Sequence, residues 1–235
     1  MDSELNRYVL LTRLPLFGGI SSTELLGWED ALRLDIDELP ASPLPLIRQG
    51  DTCSQLLCLV EGELQREHVS PDGTYTVRSL LKAPAVIELD RLFGLTPTYE
   101  CTYLAKTDVK MMSIRKTLVS NHLMKSEIFR LNMLNALSAC AQRRAAALLP
   151  CQLNDAEERM RHLLSKLFPD CKGEAELIIQ MKDLAGYLGE TRLTISRLLN
   201  SWHEQGLIRL GRGHFIVHKI EALLAARKNK SSEAD

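Results

Sequence analysis

The spacing of apolar residues divides the chain into three textures. Residues 4–12 and 23–34 repeat at helical spacing, with a turn at Leu14-Pro15-Leu16-Phe17-Gly18-Gly19 between them and Ser21 or Ser22 placed to cap the second helix. From 44 to 113 the apolar runs shorten: 44–48, 56–60, 64–69, 74–81, 85–89, 101–105 and 109–114, separated by Gly50-Asp51, Glu61-Gly62 and Pro71-Asp72-Gly73. Short runs at regular spacing with turn residues between them predict an antiparallel roll or barrel. Helical texture returns after Lys116. Residues 125–148 contain no Gly or Pro, and Leu131, Leu134, Ser138, Ala141, Ala145 and Leu148 recur every three or four positions. That seam, rich in small residues, suits a long helix pairing with a second copy of itself. Pro150 ends it and 151–154 reads as a hinge. Residues 155–168 form an amphipathic helix with Met160, Leu163, Leu164 and Leu167 inward, 169–173 a loop, and 177–179 a short strand.

The stretch 181–206, MKDLAGYLGETRLTISRLLNSWHEQG, has a sharper pattern. Leu184 and Leu188 are four apart on one face. Ala185 is small, where a second helix can cross closely. Gly189 stands where a helix end needs positive φ. Thr191 is a plausible N-cap for a second helix whose inner side is Ile195, Leu198, Leu199 and Trp202. The spacing is that of a helix-turn-helix, whose second helix enters the DNA major groove. Its outer side offers Arg192, Leu193, Thr194, Ser196, Arg197 and Asn200. Arginine can grip guanine O6 and N7 together, whereas hydroxyls such as those of Thr191 and Thr194 suit phosphates. Residues 207–210 and 215–217 flank Gly211-Arg212-Gly213, a hairpin or wing with the Arg212 cation at its tip.

Whole-chain charge is uninformative at −1 over 235 residues, but its distribution is not. Residues 1–110 carry ten Lys/Arg against seventeen Asp/Glu; residues 181–230 carry nine against four. The C-terminal part is therefore the one suited to a polyanion. The six cysteines, at 53, 58, 101, 140, 151 and 171, have no CxxC spacing, which favours free thiols in a reducing cytoplasm over a zinc site. His214 and His218 flank a strand and fit the wing better than a metal. The start has early acids and no signal-peptide pattern, and no run is long enough to cross a membrane. Nucleophile elbows, phosphate-cradling glycine loops and HExxH are absent, and no acid–base pair suggests an enzyme.

A roll, a long helix and a winged helix-turn-helix together resemble the CRP/FNR superfamily of bacterial transcription regulators. The residues carrying the resemblance are LPLFGGIS near the start, IRQGD at 47–51, LVEGELQ at 59–65, SPDGT at 70–74 and LAGYLGETRLTISRLLNSWHEQGLI at 184–208. The resemblance implies an α+β fold: an N-terminal antiparallel β-roll of the cyclic-nucleotide-binding, jelly-roll kind (1–120), a dimerisation helix and hinge (121–150), and a winged helix-turn-helix (151–235). It implies a cytoplasmic homodimer on double-stranded DNA, with RNA polymerase and a small-molecule effector as further candidate partners.

Two departures shape the expectation. Cyclic-AMP-binding members carry a Gly-Glu-Leu turn and then an Arg-Ser pair for the phosphate. This chain has Ile87-Glu88-Leu89 and Tyr99-Glu100, which would set a carboxylate against the phosphate. Cyclic AMP in the usual mode is thus not expected, and Glu88, Tyr99 and Glu100 stand as candidates for some other effector. The recognition helix has Leu193 where the family commonly has a glutamate that accepts from cytosine. A leucine suits a thymine methyl instead. The competing reading is a sensory or interaction protein whose DNA readout has weakened.

Overall fold

The computed structural model describes residues 10–32, 35–148, 155–169 and 171–225. The predicted hinge at 151–154, Pro150, the polar tail and most of the first predicted helix lie outside them. The chain forms two compact units, residues 1–65 with 81–142 and residues 66–80 with 143–235.

The first unit is built on antiparallel strands. Helix α1 (Ser22–Leu32) is capped by Ser21, whose hydroxyl accepts from Glu24 N at 3.3 Å. Strand β1 (Asp35–Leu39) follows, then β2 (Pro45–Ile47), β3 (Gln55–Glu61), β4 (Glu63–Val69), β5 (Tyr75–Lys82), β6 (Ala85–Ile87), β7 (Thr102–Ala105) and β8 (Val109–Arg115); of these, residues 66–80, most of β4 and β5, fall in the second unit. One sheet has the order β1-β8-β3-β6, and β2 pairs with β7. Strand β1 is absent from the sequence reading, because DIDEL has three acids and no clean alternation. It pairs with β8 from Asp35↔Ser113 to Leu39↔Val109 as an edge strand, and an acidic edge resists stray pairing. Strand β6 stops two residues short of the predicted run because Glu88 adopts a left-handed conformation at φ 38°. Alternate residues of β3, Leu56, Cys58 and Val60, are buried with Leu64, Val109, Met111 and Ile114 in the core.

Helices α2 (Lys116–Asn121) and α3 (Glu127–Leu148) complete the first unit, α3 running on into the second. The early turns of α3 are pinned on one side. Phe129 and Met133 are buried, and the Phe129 ring centroid lies 5.5 Å from Phe17 and 6.3 Å from Trp28. Asn132 Nδ2 donates to Leu16 O (3.1 Å) and Gly18 O (2.9 Å), satisfying the turn that the sequence placed at 14–19.

The second unit holds α4 (Ala156–Leu167), β9 (Ala175–Ile179), α5 (Met181–Leu188), α6 (Arg192–Glu204), β10 (Ile208–Gly211), β11 (His214–Val217) and α7 (Ile220–Ala225). Its strands run in the order β10-β11-β9-β5. The fold is α+β, with an N-terminal antiparallel sheet domain and a C-terminal winged helix-turn-helix.

Gly62, between β3 and β4, sits at φ 90°, and a Cβ there would run into Asp108 O, a backbone atom that cannot swing aside. Gly62→Ala should lower stability by about 1–3 kcal/mol from backbone strain alone, read as a fall in thermal midpoint. An unchanged midpoint would contradict this geometry.

Candidate nucleic-acid interface

Two local devices shape the helix-turn-helix. Gly189 takes φ 63°, ends α5, and lets Glu190 N donate to Ala185 O at 3.0 Å. Thr191 then caps α6, its Oγ accepting from Thr194 N at 3.1 Å. The Thr191 and Thr194 hydroxyls also lie 2.9 Å apart. Both residues proposed to hold phosphates are therefore already engaged in starting the helix.

The inner faces interlock. Leu184, Ala185 and Leu188 of α5 and Ile195, Leu199 and Trp202 of α6 are buried in one cluster, with Leu198 partly buried against it. Fully burying each large side chain contributes about 1.5–3 kcal/mol. From α4, Arg159 pairs with Glu190 in the turn between the helices, and the Arg161 guanidinium lies 5.3 Å from the Trp202 ring centroid. Sequence reasoning missed both arginines, because nothing local ties α4 to positions thirty to forty residues away.

With the inner face fixed, the outer one is determined. Arg192, Leu193, Arg197 and Asn200 are exposed, Leu193 at 60%. Ser196 is partly buried. Together with Asn200 it lines a cavity of about 150 Å³ that also touches Leu184 of α5, Leu210 and Gly211 of β10, and Phe215 of β11. It is thus less well placed for bases than the arginines. The wing pairs Gly211 with His214, leaving Arg212 exposed at the tip and Gly213 at φ 78°. The His214 ring lies where a Gly211 Cβ would be. Lys182 and Arg209 are further exposed cations that the sequence did not single out.

Sequence comparison agrees with this geometry. Residues 158–226 match the Crp-like helix-turn-helix domain. No curated protein matches the chain. Among solved structures it is similar to the Thermus thermophilus catabolite activator protein (20% identity, 90% of this chain and 99% of the other, TM-score 0.50). It is also similar to the sensor domain of the transcriptional regulator DNR from Pseudomonas aeruginosa (19% identity, 65% of this chain and 100% of the other, TM-score 0.51). At these identities the likeness is one of fold.

The effector candidates lie in the first unit. The Glu88 carboxylate accepts from Glu100 N (2.6 Å), Cys101 N (2.9 Å) and the Tyr103 hydroxyl (3.1 Å). Burial pushes the Glu88 carboxyl up, opposed by these hydrogen bonds. Glu100 pairs with Arg91, which the sequence reading did not weigh. Tyr99 is buried, its hydroxyl driven up by burial and by Cys53. The three candidates are thus brought together around Glu88.

The seam residues of α3 lie away from its pinned side. Leu131 and Leu134 are each 51% exposed, and Ser138, Ala141 and Ala145 are exposed. Among the described residues no cluster of three metal-ligating side chains occurs, and no helix is long and apolar enough to cross a membrane.

The Thr191 cap should be worth about 1 kcal/mol. Thr191→Val should lower the urea midpoint accordingly, and Thr191→Ser should restore most of it. Equal midpoints for all three proteins would contradict the capping role.

Proposed function

We propose that the protein is a homodimeric, sequence-specific DNA-binding regulator of transcription. The observation that carries this is the exposed row Arg192, Leu193 and Arg197 on a second helix whose opposite side is locked by Ile195, Leu199 and Trp202. Arg192 and Arg197 supply donors for guanine edges, and Leu193 an apolar face for a thymine methyl, so the preferred site differs from one read by a glutamate at that position. Arg212 at the wing tip supplies a sequence-independent phosphate contact.

The dimer rests on the exposed side of α3. Leu131, Leu134, Ser138, Ala141 and Ala145 would meet the same residues of a second copy, and a dimer of this kind reads two half-sites in successive major grooves about 34 Å apart. Control by a small molecule in the β domain fits the same architecture. Cyclic AMP in its usual mode is disfavoured, because the Glu88 carboxylate already takes the Glu100 and Cys101 amides. RNA polymerase is the natural further partner of such a regulator.

Arg197→Ala should cost about 1–3 kcal/mol on the preferred duplex and little on random duplexes. Arg212→Ala should weaken all duplexes alike and reduce the salt slope by about one. Titrations at several salt concentrations test this, and equal losses on every sequence for both variants would refute the division of roles. Separately, Leu131→Glu with Leu134→Glu should yield a monomer by sedimentation. A dimer that persists would put the interface elsewhere.

A further inference from the structure

Residues 66–80 read from sequence as one more hairpin of the β-roll, yet they fall within the second unit. Their turn is self-contained: Asp72 accepts from the Ser70 and Thr74 hydroxyls, both at 2.8 Å, and Gly73 N donates to Ser70 O at 2.9 Å. Beyond the turn, β5 pairs antiparallel with β9 over five positions, from Tyr75↔Ile179 to Ser79↔Ala175. Val77 is 6% exposed and belongs to the same core cluster as Leu177, Leu184, Ile195 and Trp202. Arg78 Nε meets Glu67 at 2.5 Å and Arg78 Nη1 meets Glu176 of β9 at 3.6 Å. At the tip, Thr74 Oγ lies 2.8 Å from the Tyr187 hydroxyl of α5, and the Tyr75 and Tyr187 rings meet edge to face at 5.9 Å.

These contacts converge on the start of the helix-turn-helix. β9 has β11 on one side; without β5 its other side would be an open edge of unpaired amides and carbonyls. Only Gln180 separates β9 from α5, so the register of β9 fixes where α5 begins. Tyr187 sits two residues before Gly189, the residue on which the turn to the recognition helix depends.

We infer that residues 66–80 are a built-in partner strand of the winged domain, and that Val77 and Tyr187 are positioning residues for the recognition helix. The helix-turn-helix is held by a segment more than a hundred residues upstream in the chain, so a change that frees the segment loosens α5 and lowers DNA affinity. The DNA part of this inference rests on the function proposed above; the strand addition does not.

The test uses the full chain and reads amide hydrogen exchange together with DNA affinity. Val77→Asp should raise exchange across 175–188 at least tenfold, leave the amides of β3 and β8 as in wild type, and weaken DNA binding at least tenfold; Val77→Ile should match wild type. Tyr187→Phe, which keeps the ring contact and removes only the hydroxyl, should raise exchange in α5 and weaken DNA binding two- to fivefold without unfolding the domain. Wild-type exchange at 175–188 in Val77→Asp, or in α5 of Tyr187→Phe, would overturn the inference. A wild-type protein with no affinity for any duplex would refute the DNA-binding reading, while the exchange data would still decide whether the strand is added.

Discussion

The outward row of the recognition helix exists because its inner row is committed. Ile195, Leu199 and Trp202 fill one cluster with Leu184, Ala185 and Leu188, and Gly189 supplies the left-handed residue that lets the two helices meet. Three large side chains at about 1.5–3 kcal/mol each leave α6 little rotational freedom. Arg192, Leu193 and Arg197 then point outward by default. Specific readout needs side chains held to a fraction of an ångström; if the outward row reads bases as proposed, packing of the opposite face would supply that precision.

Helix α3 follows the same logic. Phe129, Met133 and Asn132 tie one side to the 14–19 turn and the aromatic cluster with Phe17 and Trp28. The opposite side keeps Leu131 and Leu134 half exposed, which a lone protomer gains nothing by. A helix with one side committed and an apolar seam left open is a reason to look for a second copy. In the β domain, the Glu88 carboxylate occupies a pair of backbone amides, so an anionic ligand there would have to displace a residue of the chain itself.

Much of this was legible in the sequence because its physics is local. The Gly189 turn, the Thr191 cap, the wing at Gly211-Arg212-Gly213 and the small-residue seam are each set by residues within a turn or two of one another. What could not be read depends on partners far apart in the chain. Strand β1 is recognisable only by its pairing with β8, since DIDEL lacks a strand's alternation. The ion pair of Arg159 with Glu190, the carboxylate of Glu88 on Glu100 and Cys101, and the addition of β5 to β9 all close loops that no spacing rule reports. Val77 and Tyr187 looked like ordinary strand and helix residues; only the fold shows them in one unit.

The most direct measurement of the central claim is enrichment of duplexes from a random library by the purified protein, followed by sequencing. The account predicts a two-fold symmetric site whose half-sites lie about 10–10.5 base pairs, one helical turn, apart, with a preference at base pairs in the reach of Arg197. Retention of all duplexes alike, or an enriched site with a single half, would contradict it.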